Sequence, residues 1–78
     1  MSQQEIEALK ARIKKLEAEH DSMLSSHRTL MAVYDQKKAP MYKQKASEAL
    51  GEAGKRNRRI AELEAELAKL EKDSGNSN

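Results

Sequence analysis

The chain has 78 residues, of which 36% are charged, and it contains two tyrosines but no cysteine, tryptophan or phenylalanine. A chain of this size forms one domain at most, and the shortage of aromatic residues argues against a compact globular core. The lack of cysteine excludes disulfides and thiolate metal sites, and the net charge of +2 is too balanced to indicate a nucleic-acid-binding protein by itself. This composition favours long exposed helices, as in a coiled coil.

The first helix is predicted over residues 3–35. It begins at Ser2-Gln3-Gln4-Glu5, a capping box in which the side chains of Ser2 and Glu5 bind each other's backbone N–H groups. From residue 6 onward, mostly apolar residues recur at alternating spacings of three and four, which is the pattern of a and d positions in a coiled-coil heptad. These seam residues are Ile6, Leu9, Ile13, Leu16, His20, Met23, His27, Leu30 and Tyr34.

A turn is predicted at residues 36–39, because Pro40 lacks an N–H group and disfavours helical dihedral angles at Ala39. Pro40 also suits the first turn of a second helix, predicted over residues 40–73. Asp73-Ser74-Gly75 supplies its stop, so that residues 1–75 form the hairpin and residues 76–78 a disordered tail. The second seam consists of Tyr42, Ala46, Ala49, Ala53, Arg56, Ile60, Leu63, Leu67 and Leu70.

The two seams match as an antiparallel pair. In an antiparallel coiled coil an a residue faces a d residue, so the residue numbers of every facing pair must have the same sum. That sum is 76 for every pair, from Ile6 with Leu70 to Tyr34 with Tyr42. The heptad phase also breaks at Pro40, which favours a hairpin over one long kinked helix that dimerises along its length. The sequence therefore predicts an all-α fold: a two-helix antiparallel coiled-coil hairpin, completed to a bundle by a second copy or a partner.

Three polar residues, His20, His27 and Arg56, interrupt an otherwise apolar hairpin core. A polar layer of this kind fixes the register of a coiled coil. The two histidines are about 10.5 Å apart along the helix axis, too far to share one ion, so neither a metal site nor another cofactor is predicted. Because a protonated His20 would face the Arg56 cation, we expect looser association at pH 5 than at pH 8.

Apolar residues outside the seams cluster toward the turn, where a two-helix hairpin cannot bury them alone. Gly51 and Gly54 interrupt the second helix nearby, either as a weak point or as part of a small-residue strip that lets another helix approach. The sequence thus predicts a non-catalytic assembly or adaptor subunit that binds a protein, a second copy or a different helical partner, through its turn-proximal half. The predicted interface residues are Leu24, Met31, Val33, Met41 and Leu50.

A basic band between residues 37 and 59 gives the alternative function, a nucleic-acid-associated or polymerase-associated regulatory module. No aromatic residue interleaves with the band to stack on bases, so any such binding is expected to be weak and sequence-blind; a solvated helix face that pairs with acidic neighbours is the favoured interpretation. The candidate contacts to a polyanion are Lys37, Lys38, Lys55, Arg58 and Arg59.

Other function classes have little support in the sequence. It contains no glycine-rich phosphate loop, no HExxH spacing and no triad-like set, so no enzymatic activity is predicted. No apolar run approaches the roughly 20 residues of a membrane span. We expect an intracellular, cytoplasmic protein.

Two short segments resemble known families. Residues 59–67, Arg-Ile-Ala-Glu-Leu-Glu-Ala-Glu-Leu, with Tyr42-Lys43 upstream, resemble the second arm of the N-terminal hairpin of the Gre transcript-cleavage factors. Those factors need acidic residues at the hairpin tip, where this chain has Lys37-Lys38, so the resemblance does not imply their activity. The segment from Pro40 to Leu50 is similar to the core helical hairpin of membrane-remodelling ESCRT-III subunits, which implies a second alternative, a subunit of that kind.

Overall fold

The structure is a computed structural model that describes the backbone of residues 3–76 and the side-chain surroundings of residues 3–73. Helix α1 spans Gln3–Lys37 and helix α2 spans Pro40–Asn76. They pack against each other as an antiparallel hairpin 61 Å long and 14 by 11 Å in cross-section, and residues 3–76 include no β-strand. The predicted all-helical hairpin is confirmed.

Helix α1 ends at Lys37, two residues beyond the end expected from the sequence, and is capped by Lys38. Lys38 adopts a φ of 55°, and its N–H donates to the carbonyl oxygen of Tyr34 at 2.6 Å. This is the left-handed helix cap that glycine usually occupies. The connection therefore contains only Lys38 and Ala39, because the backbone stays helical until the restriction imposed by Pro40 takes effect.

Helix α2 begins with a hydrogen-bonded turn and continues beyond its predicted end. The N–H of Tyr42 donates to the carbonyl of Ala39 at 3.1 Å, which closes the first turn after the connection. At the other end α2 continues through Asn76, past the expected stop at residue 73. The proposed cap residue Ser2 and tail residues 77 and 78 lie outside the described residues.

The core is a single row of seam residues whose buried side chains differ in size along the hairpin. We call residues 20–56 the turn-proximal half and residues 3–19 with 57–76 the far half. The far half has the densest cluster, in which Ile13, Ile60 and Leu63 are packed by Leu9, Leu16 and Leu67. In the turn-proximal half the buried hydrophobic residues are alanines. The buried hydrophobic residues among those described are Ile6, Ile13, Ala46, Ala53, Ile60 and Leu63.

The residues beside the seam form two flanks, one from the e positions of both helices and one from the g positions. The ammonium of Lys10 lies 3.6 Å from a carboxylate oxygen of Glu71, and this pair joins two e positions. On the other flank Arg56 binds Glu19, a g residue of α1, at 3.0 Å. These two ion pairs identify the flanks independently of the apolar pattern. The e flank comprises Lys10, Glu17, Leu24, Met31, Lys38, Lys43, Leu50, Asn57, Glu64 and Glu71.

Candidate protein-interaction surface

The five predicted interface residues lie on three different sides of the hairpin. Met41 and Leu50 are 52% and 48% exposed and are the exposed large hydrophobic residues of the described chain. Met41 occupies an outer position near the turn, and the half-buried Val33 lies on the g flank. The structure therefore does not bring these two into one surface with the others.

The remaining three interface residues share the e flank. Leu24 and Met31 occupy successive e positions of α1 and are half-buried, whereas Leu50 occupies an e position of α2. The residue numbers of Met31 and Leu50 have the same sum as those of the bonded pair Lys10 and Glu71, so they are neighbours across the hairpin in the same register. Leu24, Met31 and Leu50 thus form one apolar patch, which we call the e patch.

An acidic groove lies on the far-half side of the e patch. Its walls come from the e positions of both helices and from the residues next to them, and it is open to solvent. Three carboxylates and one imidazole meet there with little apolar surface. The residues lining it are Glu17, His20, Asp21, Asn57, Ile60 and Glu64.

A basic cluster lies on the other side of the e patch, at the turn. The ammonium groups of Lys38 and Lys43 lie 5.5 and 5.8 Å from the ring centroid of Tyr34, within the range of a cation–π contact. Across the turn, the ammonium of Lys37 lies 5.8 Å from the ring centroid of Tyr42. The two tyrosines therefore hold the tip lysines close to the seam.

Sequence reasoning missed the acidic groove and the part that Lys43 plays in the basic cluster. The signal was present in the e positions of α1, where Glu17 precedes Leu24 and Met31 and Lys38 follows them. It was overlooked because the apolar residues were grouped by distance from the turn and not by flank.

Arg56, a member of the predicted polar layer, turns to the g flank. Its guanidinium donates to Glu19 at 3.0 Å, to the Glu52 carboxylate at 2.7 Å and to the Glu52 carbonyl at 3.2 Å. The hydrogen bond from Arg56, together with the positive charges of Lys55 and of Arg56 itself, lowers the pKa of Glu52. The hydrogen bonds that Arg56 donates to the carboxylates of Glu52 and Glu19 raise the pKa of Arg56. Arg56 thus links the two helices where the two halves of the hairpin meet.

The two histidines of the predicted polar layer have different surroundings. Nδ1 of His27 lies 2.8 Å from the carbonyl oxygen of Ala46 on the other helix, so with a proton on Nδ1 the ring donates a hydrogen bond across the seam. Nδ1 of His20 lies 3.6 Å from a carboxylate oxygen of Asp21, its neighbour in the same helix. Of the two histidines, His27 is therefore the one whose hydrogen bond joins α1 to α2.

Several residues of the basic band have acidic partners on the same helix. Lys55 lies 3.6 Å from Glu52, and Arg59 lies 3.8 Å from Glu62, each one helical turn away. Exposed pairs of this kind contribute about 0.5 kcal/mol or less, but they place a carboxylate beside each of these two cations. Two of the five predicted polyanion contacts are therefore paired with acidic residues of α2.

The glycines of α2 face open space. A β-carbon built on Gly51 or on Gly54 would have no atom of this chain within 4 Å. Gly54 occupies a b position, directly beside the e flank. Packing within the hairpin therefore does not require glycine at either place.

The described residues offer few groups for chemistry on a ligand. Among residues 3–73 no three His, Asp or Glu side chains are grouped so that they could hold a metal ion. Neither described helix is long and apolar enough to cross a membrane.

The comparisons with known proteins give no relative. No protein-family model matches the chain, and no curated protein or solved structure is significantly similar to it. Conclusions about function therefore depend on the geometry described above.

Proposed function

We propose that the protein is a non-catalytic assembly or adaptor subunit that binds a helical partner, either a second copy or a different protein, through the turn-proximal half of its hairpin. The observation that supports this most is the unequal division of apolar residues between the two halves. The buried hydrophobic residues of the far half are isoleucines and a leucine, whereas those of the turn-proximal half are alanines, and the turn-proximal half carries Leu50 on its e flank, 48% exposed.

The energetics favour such a role for the e patch. Fully burying a leucine, isoleucine or methionine side chain contributes about 1.5–3 kcal/mol, and the e patch offers three partly exposed side chains of this kind. A second helical surface laid on the flank would gain much of this free energy. The basic band, by contrast, already has carboxylates beside Lys55 and Arg59, which lowers the gain from binding a polyanion.

Site-specific photo-crosslinking in cells of the natural host tests the proposal. A photoreactive amino acid replaces Leu50 on the e flank in one variant and Ala65 on the outer face of the far half in the other. We expect discrete crosslinked products from position 50 and none from position 65, and we expect Leu24→Glu with Met31→Glu to abolish them.

A matched control distinguishes the loss of the e patch from the effect of adding two negative charges. Ala18→Glu with Ala32→Glu introduces the same two charges on the exposed outer face of α1, and we expect the crosslinks from position 50 to persist in that variant. Equal products from positions 50 and 65, or no discrete product from position 50, would contradict the proposed function.

A further inference from the structure

The e flank carries opposite charges on the two sides of the e patch. Glu17 and Glu64 line the groove on one side, and Lys38 and Lys43 lie together on the ring of Tyr34 on the other. A surface with this arrangement is complementary to itself when it is turned end for end.

The spacing on α1 is symmetric about the e patch. Glu17 and Lys38 lie equally far, about 16 Å along the helix axis, on either side of the midpoint between Leu24 and Met31. Turning α1 end for end about this midpoint therefore places Glu17 on Lys38 and Leu24 on Met31.

The charged residues of α2 have the same symmetry, while Leu50 is placed on Asn57. Lys43 and Glu64 lie equally far, about 16 Å, on either side of the midpoint between Leu50 and Asn57. The midpoints of the two helices lie at the same level of the hairpin, because they are related by the e-to-e register that the Lys10–Glu71 ion pair defines. A single two-fold axis through this level therefore serves both helices.

We propose that the e flank binds the e flank of a second copy of this chain in an antiparallel four-helix bundle with two-fold symmetry. This inference rests on the proposed function and names its partner. Each α1 lies along the α1 of the second copy, with Leu24 against Met31 and Glu17 against Lys38. Each α2 lies along the other α2, with Glu64 against Lys43. The far ends of both hairpins extend beyond the four-helix region and are closed by their own leucine and isoleucine core.

Charge distinguishes this arrangement from the parallel one. In a parallel pair with a two-fold axis along the bundle, α1 lies along α2 of the second copy with both turns at the same end. Glu17 then meets Glu64, and Lys38 meets Lys43. Like charges at both ends oppose that pairing, whereas the antiparallel pairing has opposite charges at both ends.

Gly54 provides an independent indication of the same axis. It lies within one residue of the level of the two-fold, beside the e flank, and a β-carbon there would have no neighbour in this chain within 4 Å. In the antiparallel pair Gly54 lies opposite its own copy, and Ser47 lies opposite Ala61. Small residues at these positions let the two α2 helices approach closely at the axis.

Charge reversal with sedimentation equilibrium tests the proposal on the full chain. We expect wild type to be a dimer and Lys38→Glu with Lys43→Glu to raise its dissociation constant by about tenfold to a hundredfold. Glu17→Lys with Glu64→Lys is expected to weaken the dimer similarly, and an equimolar mixture of the two variants is expected to form a heterodimer. Lys15→Glu with Lys69→Glu, on the outer face, makes the same charge change as the lysine variant and is expected to leave the dissociation constant within about twofold.

Cysteine crosslinking determines the orientation, because the chain has no cysteine of its own. Leu24→Cys, Met31→Cys and Leu50→Cys are prepared as separate chains and mixed in pairs under a redox buffer. We expect disulfide-linked heterodimers from Leu24→Cys with Met31→Cys, and several-fold less from Met31→Cys with Leu50→Cys, the pair that the parallel arrangement joins.

Three results would overturn the self-pairing. They are a preference for the Met31–Leu50 disulfide, a dimer indifferent to the e-flank charge reversals, and wild type at monomer mass. The last result together with heterologous photo-crosslinks from position 50 would leave the proposed function intact and reject only the second copy as its partner. Monomer mass without any crosslink from position 50 would reject both.

Discussion

The two halves of the hairpin share one seam register but use it differently. In the far half Ile13 and Ile60 meet Leu63, whose side chain is 2% exposed, and three further leucines pack around them. In the turn-proximal half Ala46 and Ala53 are as deeply buried, but an alanine side chain is one methyl group. The helices are thus in register in both halves, but most of the buried apolar volume lies in the far half.

Under the proposed function, this contrast separates stability from recognition along the molecule. The far half is expected to contribute more to holding the two helices together, because its buried residues are isoleucines and a leucine. The turn-proximal half leaves part of its apolar surface on the e flank, where the proposed partner would cover it. Changes in the e patch are therefore expected to weaken binding without unfolding the hairpin.

Leu63→Ala should give the largest loss of stability and should test directly whether the far half contributes more to stability than the turn-proximal half. Removing a buried leucine side chain costs about 2–5 kcal/mol, and Leu63 is nearly inaccessible. Leu30→Ala, at the half-buried d position opposite Ala46, is expected to cost about half as much. Urea unfolding followed by far-UV circular dichroism, at protein concentrations below the assembly range, measures both.

If Leu63→Ala does not fold, Ile60→Val, expected to cost about 1 kcal/mol, replaces it in the comparison. Its counterpart in the turn-proximal half is then Leu30→Val. An equal or larger loss from the leucine of the turn-proximal half would show that the far half does not dominate stability.

Gly51→Ala and Gly54→Ala should stabilise the isolated hairpin by about 1 kcal/mol each, because glycine is a poor helix former and neither site is crowded. The reciprocal change in the far half, Ala65→Gly on the exposed face, should destabilise by a similar amount. Each kcal/mol corresponds to about 4–8 °C in the melting temperature of a domain of this size. A loss of stability in dilute Gly54→Ala would show that the site is crowded even without a partner.

His27→Ala should cost about 1 kcal/mol through its hydrogen bond to Ala46, in addition to lost packing. His20→Ala should cost less, because the nearest carboxylate, that of Asp21, is 82% exposed. Thermal melts of the two variants at one pH compare them. A larger loss of melting temperature from His20→Ala than from His27→Ala would contradict this expectation. It would show that the polar layer stabilises the hairpin at His20 and not at His27.

Much of the fold could be predicted from the sequence because one constraint, the constant sum of facing residue numbers, applies to the whole seam. The ends of the helices were less predictable. Lys38 takes a left-handed conformation that its identity does not indicate, and α1 consequently extends to Lys37. Local hydrogen bonding decides such details, and a heptad pattern contains no information about it.

The interaction surface was only half predictable for a related reason. The apolar residues near the turn are visible in the sequence, but grouping them by flank separates Val33 and Met41 from the e patch. The partners of Arg56 also depend on side-chain rotamers: the heptad places Arg56 in the seam, yet in the structure its guanidinium binds Glu19 and Glu52 on the g flank. The position of a residue in the seam determines its neighbours. The length and charge of its side chain determine which of those neighbours it binds.

The weakest effect that we expect is a pH dependence of stability caused by Glu52, at the boundary between the two halves. The pKa of Glu52 is lowered in the folded hairpin, first by its hydrogen bond to Arg56. A lowered folded-state pKa means that the unfolded chain binds protons more readily, so the stabilisation is complete above the ordinary glutamate pKa and is lost as the pH falls through the folded value. We therefore expect this contribution to be constant between pH 7 and pH 5 and to decrease below about pH 4.5.

Glu52→Gln should accordingly flatten the decrease in melting temperature between pH 5 and pH 3. Glu48→Gln, which removes the same charge one turn away, is the control and should leave the slope close to that of wild type. An equal flattening by Glu48→Gln, or an unchanged slope in Glu52→Gln, would show that the hydrogen bond between Glu52 and Arg56 does not cause the decrease.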